Sequence, residues 1–475
     1  MKKISGVADI LYKKICGDKK FYCTFAPKLL DDMERVFKRK LYDTLLDWKK
    51  RRAGKTALLV EGARRVGKST LVEYFAQKEY DSYLLIDFNK APKRVFELFE
   101  DISNLDNLFV QLQLLYSVVL HERKSVIVFD EVQKCPLARQ AIKYLVQDGR
   151  YDYIETGSLI SIKKNTKNIT IPSEEIRVNM FPLDFEEFRW AVSDNVSLPL
   201  IKQFFDKGQA LMSAHQKILF DFRLYMLVGG MPQAVNEYIN TNNLSLVDEV
   251  KRDIIKLYLD DFQKIDSSGR IEKLYKNIPA QLSGNIARYQ PYQIVGDNDK
   301  DKITDLLQCL EDSKTVLFCH RVSDPNVGLS LTKDLYRYKI YTADTGLFIT
   351  LSFWDKTFTE NVIYEKLLRN RLEANLGYIF ENMVAQMLVT NGNELFYSTF
   401  PKDEKHNYEV DFLLSRGEKI VPIEVKSSGY KSHKSIDEFV KRYSSRIGKR
   451  YIIYTKDYKQ EENYIYLPVY MTPFI

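Results

Sequence analysis

The segment ALLVEGARRVGKST, residues 57–70, governs how the rest of this chain is interpreted. Residues 62–69 fit the pattern G-x-x-x-x-G-K-[ST] at every fixed position. Two glycines allow a tight loop whose backbone N–H groups point at phosphate oxygens. The apolar run Ala57–Val60 predicts a buried strand before the loop, and Ser69–Gln77 predicts a helix after it. Because the N-terminus of a helix attracts anions, this arrangement predicts a phosphate-binding loop.

This loop predicts ATP and Mg²⁺ as cofactors. Lys68 is expected to reach the β- and γ-phosphates and to act in catalysis, while the Ser69 hydroxyl ligates magnesium. A glycine turn without a ligand is the alternative, but a predicted strand and helix flank the motif as a nucleotide site requires. The predicted nucleotide-binding residues are Gly62, Ala63, Arg64, Arg65, Val66, Gly67, Lys68, Ser69 and Thr70.

A second apolar run, Ser125–Phe129, ends in the carboxylates Asp130 and Glu131. Asp130 is predicted to hold Mg²⁺, directly or through water, together with Ser69. Glu131 is predicted to polarise the attacking water as a general base. Such an ending is common by itself, but it is specific when it follows a phosphate-binding loop. Two carboxylates favour hydrolysis over binding alone, because a binder needs only the magnesium ligand.

The next predicted strand ends in Tyr153-Ile154-Glu155-Thr156-Gly157-Ser158. A hydroxyl at this position could orient water near the γ-phosphate. Thr156 and Ser158 are the candidates, and Thr156 is assigned as a catalytic residue. A strand-to-helix turn with a local cap is the alternative. Arg177 is a candidate for an arginine that stabilises the transition state, although its spacing does not establish that role.

The composition is that of an ordinary soluble globular protein, with 45 % hydrophobic and 28 % charged residues among 475. Collagen-like, disulfide-scaffold and wholly disordered chains are thereby excluded. No stretch reaches the roughly 18 consecutive apolar residues of a membrane helix, and the N-terminus lacks a secretory apolar region. Five scattered cysteines are typical of reduced thiols. These features predict a cytoplasmic protein with no membrane partner.

Positive charge is concentrated near the C-terminus. Residues 426–459 contain ten basic and three acidic side chains, a net charge of +7 that equals the net charge of the whole chain. A localised basic patch predicts a polyanionic partner, and DNA is the predicted one. On charge alone, a solvated surface is an equal alternative.

Four residues in the C-terminal region form a second chemical constellation. Glu381 falls on a predicted helix, Asp411 on a predicted strand, and Glu424 and Lys426 on the next strand, after a hairpin turn at residues 415–418. Asp411 and Glu424 would offer carboxylate oxygens to magnesium, and Lys426 could stabilise a pentacovalent phosphorane. The pattern is similar to the PD-(D/E)XK nuclease signature. A surface hairpin with alternating charge is the alternative.

Six motifs in order resemble those of prokaryotic AAA+-like ATPases that carry a C-terminal restriction-endonuclease-like domain. The likeness covers roughly residues 35–460 and implies an α/β fold. It also implies a P-loop parallel-sheet ATPase core, a helical lid, a winged-helix region and a nuclease-like end. Glu155 departs from the family pattern, where a hydrophobic residue is expected. The motifs are VEGARRVGKST, VIVFDEVQ, IETGS, FPLDFEEF (Phe181–Phe188), LVGGMPQAV (Leu227–Val235) and ADTGL (Ala343–Leu347).

The patterning along the chain agrees with this order. Short apolar strands alternate with helices up to about residue 183, which predicts a parallel sheet covered on both faces. Predicted helices, including Arg270–Leu282, and a predicted hairpin then follow the winged-helix pattern, for which a generic α+β lid is the alternative. The predicted domains are a basic helical segment (1–50), a P-loop AAA+-like core (51–190), a helical lid (191–265), a winged-helix-like region (266–343) and a restriction-endonuclease-like domain (344–475).

These observations predict an Mg²⁺-dependent ATPase whose nucleotide cycle is coupled to a nuclease-like domain that acts on DNA. The winged-helix-like region and residues 426–459 are the predicted DNA contacts. One rival is a slow nucleotide-dependent switch or scaffold, whose inactive nuclease-like domain binds DNA or protein. Another is a nuclease regulated by ATP. The sequence is equally compatible with a monomer, a dimer and a ring.

Overall fold

The computed structural model describes residues 35–157, 172–284, 288–297, 299–357, 359–369, 377–427 and 433–475. Ser158, Lys431 and most of the predicted N-terminal segment 1–50 lie outside the described residues. Within the described ranges, no helix combines the length and apolar character needed to cross a bilayer. Residues 37–475 pack as one unit.

The predicted phosphate-binding loop follows a strand of a five-stranded parallel sheet. Its strands are β1 (Ala57–Glu61), β2 (Ser82–Asp87), β3 (Ser125–Asp130), β4 (Asp152–Gly157) and β5 (Glu175–Asn179). They lie in the order β2-β3-β4-β1-β5, and all of their pairings are parallel. The predicted α/β core with a parallel sheet is confirmed.

Helices cover both faces of this sheet, so the central strands have no polar side. On one face, Val128 and Ile154 pack with Val72 of the helix that follows the loop. On the other, Ile127 and Phe129 pack in a separate apolar cluster. The helices of this region are α1 (Leu41–Arg51), α2 (Lys68–Glu79), α3 (Lys93–Glu97), α4 (Leu105–Tyr116) and α5 (Pro136–Asp148).

The chain is mainly helical between the two sheets of the structure. The helices here are α6 (Phe185–Ala191), α7 (Ser197–Asp206), α8 (His215–Val228), α9 (Pro232–Thr241), α10 (Leu244–Ile265), α11 (Arg270–Lys276), α12 (Ile278–Ser283), α13 (Pro291–Val295) and α14 (Lys300–Asp312). The prediction of a single helix over Arg270–Leu282 is wrong, because the structure has two helices there, separated at Asn277. Pro279 has no N–H to continue the first helix, and it lies in the first turn of the second.

A mixed sheet of eight strands occupies the C-terminal part. Its strands are β6 (Val316–Val322), β7 (Lys333–Thr342), β8 (Leu395–Pro401), β9 (Asn407–Arg416), β10 (Lys419–Val425), β11 (Arg450–Tyr454), β12 (Lys459–Glu461) and β13 (Tyr464–Pro468). The strand order is β12-β13-β11-β10-β9-β8-β6-β7. The remaining helices are α15 (Thr345–Ser352), α16 (Asn361–Leu368), α17 (Gly377–Thr390) and α18 (Lys434–Tyr443). Short 3₁₀ helices are Val132–Lys134, Met212–Ala214, Leu329–Thr332, Ser444–Arg446 and Val469–Phe474.

The two strands predicted for the winged-helix-like region 266–343 belong to this larger sheet. β6 pairs antiparallel with β7, and it also pairs in parallel with β8. The predicted boundary between residues 343 and 344 therefore cuts through one sheet, and the hairpin forms the sheet's edge instead of a separate wing. Pairing between β6 and β8 joins residues far apart in sequence, so no local pattern indicates it.

Three of the motifs meet where α8 ends. The Leu183 N–H donates to the Gly230 carbonyl at 2.7 Å, and the Gly230 N–H donates to the Asp344 carboxylate at 2.6 Å. A Cβ on Gly230 would lie 2.1 Å from the Leu183 carbonyl oxygen. A Cβ on Gly346 would lie 2.5 Å from the Cα of Gly229. Close backbone contact therefore explains why glycines occupy these positions.

Gly230→Ala is expected to lower the free energy of unfolding by about 2–3 kcal/mol, because the added methyl group has no space. Urea denaturation followed by circular dichroism measures this loss. Gly392→Ala is the control, since a Cβ there meets nothing within 4 Å and only its φ of +79° is unfavourable. The control should lose about 1 kcal/mol or less. Equal losses in the two variants would contradict the role given to the junction.

Candidate nucleotide site and carboxylate cluster

The loop between β1 and α2 has a path that two glycines permit. A Cβ on Gly62 would lie 2.3 Å from the carbonyl oxygen of Met180, so a side chain would push against the end of β5. Gly67 has a φ of +96° and is the N-cap of α2, a conformation that favours glycine. The loop therefore leads directly into the N-terminus of α2, where the helix dipole favours an anion.

Lys68, the first residue of α2, directs its ammonium group into the loop. Its Nζ donates hydrogen bonds to the carbonyl oxygens of Gly62 and Ala63, each at 3.0 Å. Burial lowers the pKa of Lys68 to about 8, although the negative charges of Glu131 and Asp130 act in the opposite direction. A phosphate group in the loop would give this buried cation the ionic partner that the two carbonyls only partly replace.

β4 lies between β1 and β3 and brings three predicted site residues together. The Ser69 hydroxyl donates to Asp130 Oδ1 at 2.7 Å, and the Thr156 hydroxyl donates to the same oxygen. A hydroxyl and a carboxylate are the oxygen ligands that suit Mg²⁺. Ser69 and Asp130 could therefore hold this ion, and the hydrogen bond from Thr156 orients the Asp130 carboxylate.

Glu131 has a left-handed backbone conformation, with a φ of +56°. Its N–H donates to the Thr156 hydroxyl oxygen at 3.3 Å, and its carboxylate accepts a hydrogen bond from the side-chain amide of Gln133. Gln133 thus positions the predicted general base. Gln133 lies within the VIVFDEVQ motif, but nothing in the sequence pattern indicates this contact with Glu131.

Two residues distant in sequence hold the backbone of the loop. Arg39 donates to the Val66 carbonyl at 2.9 Å and forms a buried ion pair with Glu187, with 3.2 Å between Nε and Oε1. Tyr258 of α10 donates to the Arg64 carbonyl at 2.9 Å. Neither contact is predicted from the sequence. Glu187, within the FPLDFEEF motif, is the one indication of it, because a buried glutamate requires a partner.

Arg177 and Glu155 lie among buried glutamates. The Arg177 guanidinium is 2.7 Å from Glu175 and 3.9 Å from Glu61, so it neutralises these carboxylates. Its assignment as an arginine that stabilises the transition state stays a prediction. Burial raises the pKa of Glu155 well above its usual range, and the negative charge of Glu175 raises it further. Burial therefore disfavours a charge on Glu155, which agrees with the hydrophobic residue that the family pattern has at this position.

Glu381, Asp411, Glu424 and Lys426 lie together at the C-terminal sheet. Asp411 Oδ2 accepts a hydrogen bond from the Val425 N–H at 2.7 Å, and Lys426 Nζ is 2.6 Å from Glu424 Oε1. Burial raises the pKa of Asp411 well above its usual range, and the negative charges of Glu381 and Glu424 raise it further. Glu381, Glu409, Asp411 and Glu424 together form what is named here the carboxylate cluster.

Lys339 of β7 supplies a cation to the carboxylate cluster. Its Nζ is 2.8 Å from Glu381 Oε1 and 2.6 Å from Glu409 Oε1. Tyr341 on the same strand donates a hydrogen bond to Glu381. Among the described residues, no three acidic, histidine or cysteine side chains are grouped to hold a metal ion.

Three segments of the chain match protein-family models. Residues 51–189 match a model described as an AAA domain. Residues 219–357 and 376–472 match two domains of unknown function, DUF8612 and DUF4143. No curated protein matches the chain significantly. Residues 51–189 are thus similar to an AAA domain, and this match, together with the geometry of the loop, supports an ATP-binding ATPase.

Three solved structures give a weaker likeness. The chain is 13 % identical to PCH-2 of C. elegans, over 47 % of this chain and 68 % of that one, with a TM-score of 0.26. It is 9 % identical to the Aeropyrum pernix ORC1 protein in complex with DNA, over 71 % and 93 %, with a TM-score of 0.27. It is 12 % identical to the Thermotoga maritima RuvB Holliday junction branch migration motor, over 59 % and 89 %, with a TM-score of 0.27. These scores carry no functional argument.

ATP binding is expected to weaken as the pH rises above about 8, because only the protonated Lys68 attracts phosphate. The protonated fraction of the free protein falls about tenfold for each further pH unit, and the affinity falls with it. Calorimetric titration with ATP from pH 7 to about 9.5 measures this change, together with proton uptake on binding. Lys68→Arg is the control, because an arginine stays charged over this range. Wild-type affinity that does not change with pH would contradict the role of Lys68.

Proposed function

We propose that this chain is a cytoplasmic, Mg²⁺-dependent AAA+-like ATPase that hydrolyses ATP and couples its nucleotide cycle to a nuclease-like domain acting on DNA. The observation that carries the proposal is the Asp130 carboxylate oxygen, which accepts hydrogen bonds from both Ser69 and Thr156. This shared oxygen ties the phosphate-binding loop to the ends of β3 and β4. Magnesium-dependent phosphoryl transfer requires this kind of positioning of carboxylate and hydroxyl groups.

The proposed roles in hydrolysis follow from these contacts. Backbone N–H groups of the loop and the Lys68 ammonium bind the phosphates, while Ser69 and Asp130 hold Mg²⁺. When bound, Mg²⁺ neutralises charge on the β- and γ-phosphate oxygens. Glu131 accepts the proton of the attacking water, and its hydrogen bond to Gln133 keeps the carboxylate in a defined orientation.

A hydrogen-bonded series connects the loop to the rest of the chain. Arg39 bonds both to the loop and to Glu187 of α6. The chain just before α6 contains Leu183, which bonds to Gly230, and Gly230 bonds to Asp344. A shift of the loop on hydrolysis would be transmitted along these contacts, because backbone and buried ionic bonds leave little freedom for independent movement. This series is the proposed route of coupling.

The carboxylate cluster and Lys426 support a nuclease-like role for residues 344–475. Asp411 and Glu424 would bind Mg²⁺, and Lys426 would stabilise the charge that develops on a scissile phosphate. The basic segment 426–459 adjoins this cluster in sequence and would attract the DNA backbone.

Lys339 favours a second candidate, a nucleotide-dependent switch or scaffold. Its ammonium group lies between Glu381 and Glu409 and supplies positive charge that a metal ion would otherwise bring. In this candidate, the C-terminal domain binds DNA or protein without cutting, and slow ATP hydrolysis sets the lifetime of the complex.

Glu131→Gln is expected to lower ATP turnover by about 100-fold or more, because the general base is removed. Its affinity for ATP should stay within a few-fold of wild type, whereas Lys68→Ala should lose both binding and turnover. Phosphate release and calorimetric titration measure the two quantities. Glu97→Gln, on an exposed position of α3, is the matched control and should hydrolyse ATP normally. A Lys68→Ala variant with the wild-type rate would refute the ATPase proposal.

Wild-type protein is expected to nick supercoiled plasmid DNA with Mg²⁺ or Mn²⁺, and Asp411→Asn should abolish nicking, because a metal-binding carboxylate is lost. Agarose gels run with and without ATP show whether the nucleotide site regulates cutting. Glu418→Gln, in the exposed turn between β9 and β10, is the matched control and should cut normally. If wild-type protein cuts nothing under any condition, the switch candidate replaces the nuclease proposal.

A further inference from the structure

The hairpin of β6 and β7 borders a cavity that the proposed catalytic residues do not use. This cavity, named here the hairpin cleft, has a volume of about 530 Å³ and lies between the hairpin, α14 and residues 288–293. Its volume is in the range of ligand pockets. Aromatic rings contribute much of its lining, namely Tyr289, Tyr292, Phe318, His320, Tyr336 and Tyr338.

These rings form a stacking surface. Phe318 and His320 have centroids 6.0 Å apart with an interplanar angle of 22°, and Tyr338 lies 5.2 Å from Phe318. Burial lowers the pKa of His320 to about 4, so its ring is neutral at physiological pH. Tyr336 at the mouth of the cleft is 72 % exposed. Neutral rings in such an arrangement accept flat heterocyclic bases of any sequence.

A smaller cavity of about 280 Å³ shares Arg288 and Gln290 with the hairpin cleft. Arg321 and Arg337 line it as well. Asp334 lies 3.6 Å from Arg321 and 3.7 Å from Arg337, so one carboxylate balances part of the charge of three arginines. An excess of positive charge therefore lines this cavity, and guanidinium groups suit phosphate oxygens.

Arg321 and Arg337 lie on the same sheet face as the carboxylate cluster, whereas the rings of Phe318, His320, Tyr336 and Tyr338 alternate with them along β6 and β7 and lie on the opposite face. Arg288 and Gln290 line both cavities, which therefore meet at the β7 edge of the sheet. Arg337 and Lys339 are two residues apart on β7, and side chains at that spacing share a face. Arg321 donates to the Thr399 hydroxyl oxygen at 2.8 Å, and Thr399 pairs with Glu409 across β8 and β9. Groups that suit phosphates thus adjoin acidic groups that could act on them.

We infer that the hairpin cleft binds single-stranded nucleic acid, with bases stacked on its rings, and that the strand crosses the β7 edge at Arg288 so that its further phosphates reach Arg321 and Arg337 on the other face. A duplex fits poorly, because its bases already stack on one another and their faces are hidden. The inference deepens the proposed function, and it rests on that function for the fate of the strand at the carboxylate cluster. Binding itself requires neither ATP nor metal.

Fluorescence anisotropy with labelled strands of roughly 20 nucleotides tests this inference, with EDTA present to prevent cleavage. Tyr336→Ala is expected to weaken binding of an oligothymidine about tenfold through the loss of one stacked base. Arg337→Glu is expected to weaken binding about tenfold or more and to reduce its dependence on salt. Both side chains are largely exposed, so folding should be kept. Lys93→Glu, at the exposed start of α3 and outside both cavities and the basic segment, is the matched charge-reversal control and should bind within about twofold of wild type.

An oligouridine and a duplex of the same length are the comparison ligands. Tighter binding of either single strand than of the duplex, weakened in both cleft variants, supports the inference, and the two strands together show whether the 2′-hydroxyl contributes. Preference for the duplex overturns it. So does wild-type affinity in both cleft variants, or loss of binding in Lys93→Glu alone.

Nicking and ATP turnover of the same proteins separate this inference from the proposed function. If Asp411→Asn and wild type both bind the strand and neither cuts DNA, the cleft is supported and the nuclease proposal fails. If wild type cuts DNA but the cleft variants bind and cut normally, the cleft inference fails and the nuclease proposal stands.

Discussion

The hydrogen bonds among Leu183, Gly230 and Asp344 constrain the relative positions of three parts of the chain. The Asp344 carboxylate accepts N–H groups from Gly230 at 2.6 Å and from Leu347 at 2.8 Å. Burial raises the pKa of Asp344, and these backbone donors act against that rise. Backbone atoms leave no room for a Cβ at Gly230, so side-chain rearrangement cannot loosen the contact. The ATP-binding domain, the helices that follow it and the C-terminal sheet are therefore held in fixed register with one another.

Lys68 and Lys339 show how the surroundings of a buried cation determine what it can bind. Lys68 has carbonyl oxygens as hydrogen-bond acceptors, and burial lowers its pKa to about 8. Burial also disfavours the charge on Lys339, but Glu381 and Glu409 outweigh it and raise that pKa well above the usual range. Lys68 thus gains most from an added anion, whereas Lys339 already has two carboxylate partners. The loop is suited to phosphate, and the carboxylate cluster is partly neutralised from within.

Features encoded over short stretches could be predicted from the sequence, and features that depend on distant pairing could not. The loop at residues 62–69 and the β9–β10 hairpin, which brings Asp411 to the Val425 N–H, were foreseeable, because a motif and a tight hairpin each act within about 15 residues. Arg39 is one of several basic residues in its segment, and the sequence does not indicate that Glu187 is its ionic partner. The position of Lys339 beside the carboxylate cluster depends on the parallel pairing of β6 with β8, which no local pattern predicts. The same pairing places the predicted boundary at residue 343 within one sheet. The strands β12 and β13 were not predicted either. β12 is only three exposed residues long and therefore has no apolar pattern.

The parallel pairing of β6 and β8 has a consequence for biosynthesis. The five-stranded sheet is complete once residues 57–179 are available, but the eight-stranded sheet needs strands between residues 316 and 468. Because chains emerge from the ribosome N-terminus first, the ATP-binding domain can fold while β6 and β7 still lack their neighbour. During that interval the edge of β6 presents open backbone groups to other nascent chains. Distant contacts also slow the closure of a sheet, so the β6 edge stays open at least until β8 has emerged.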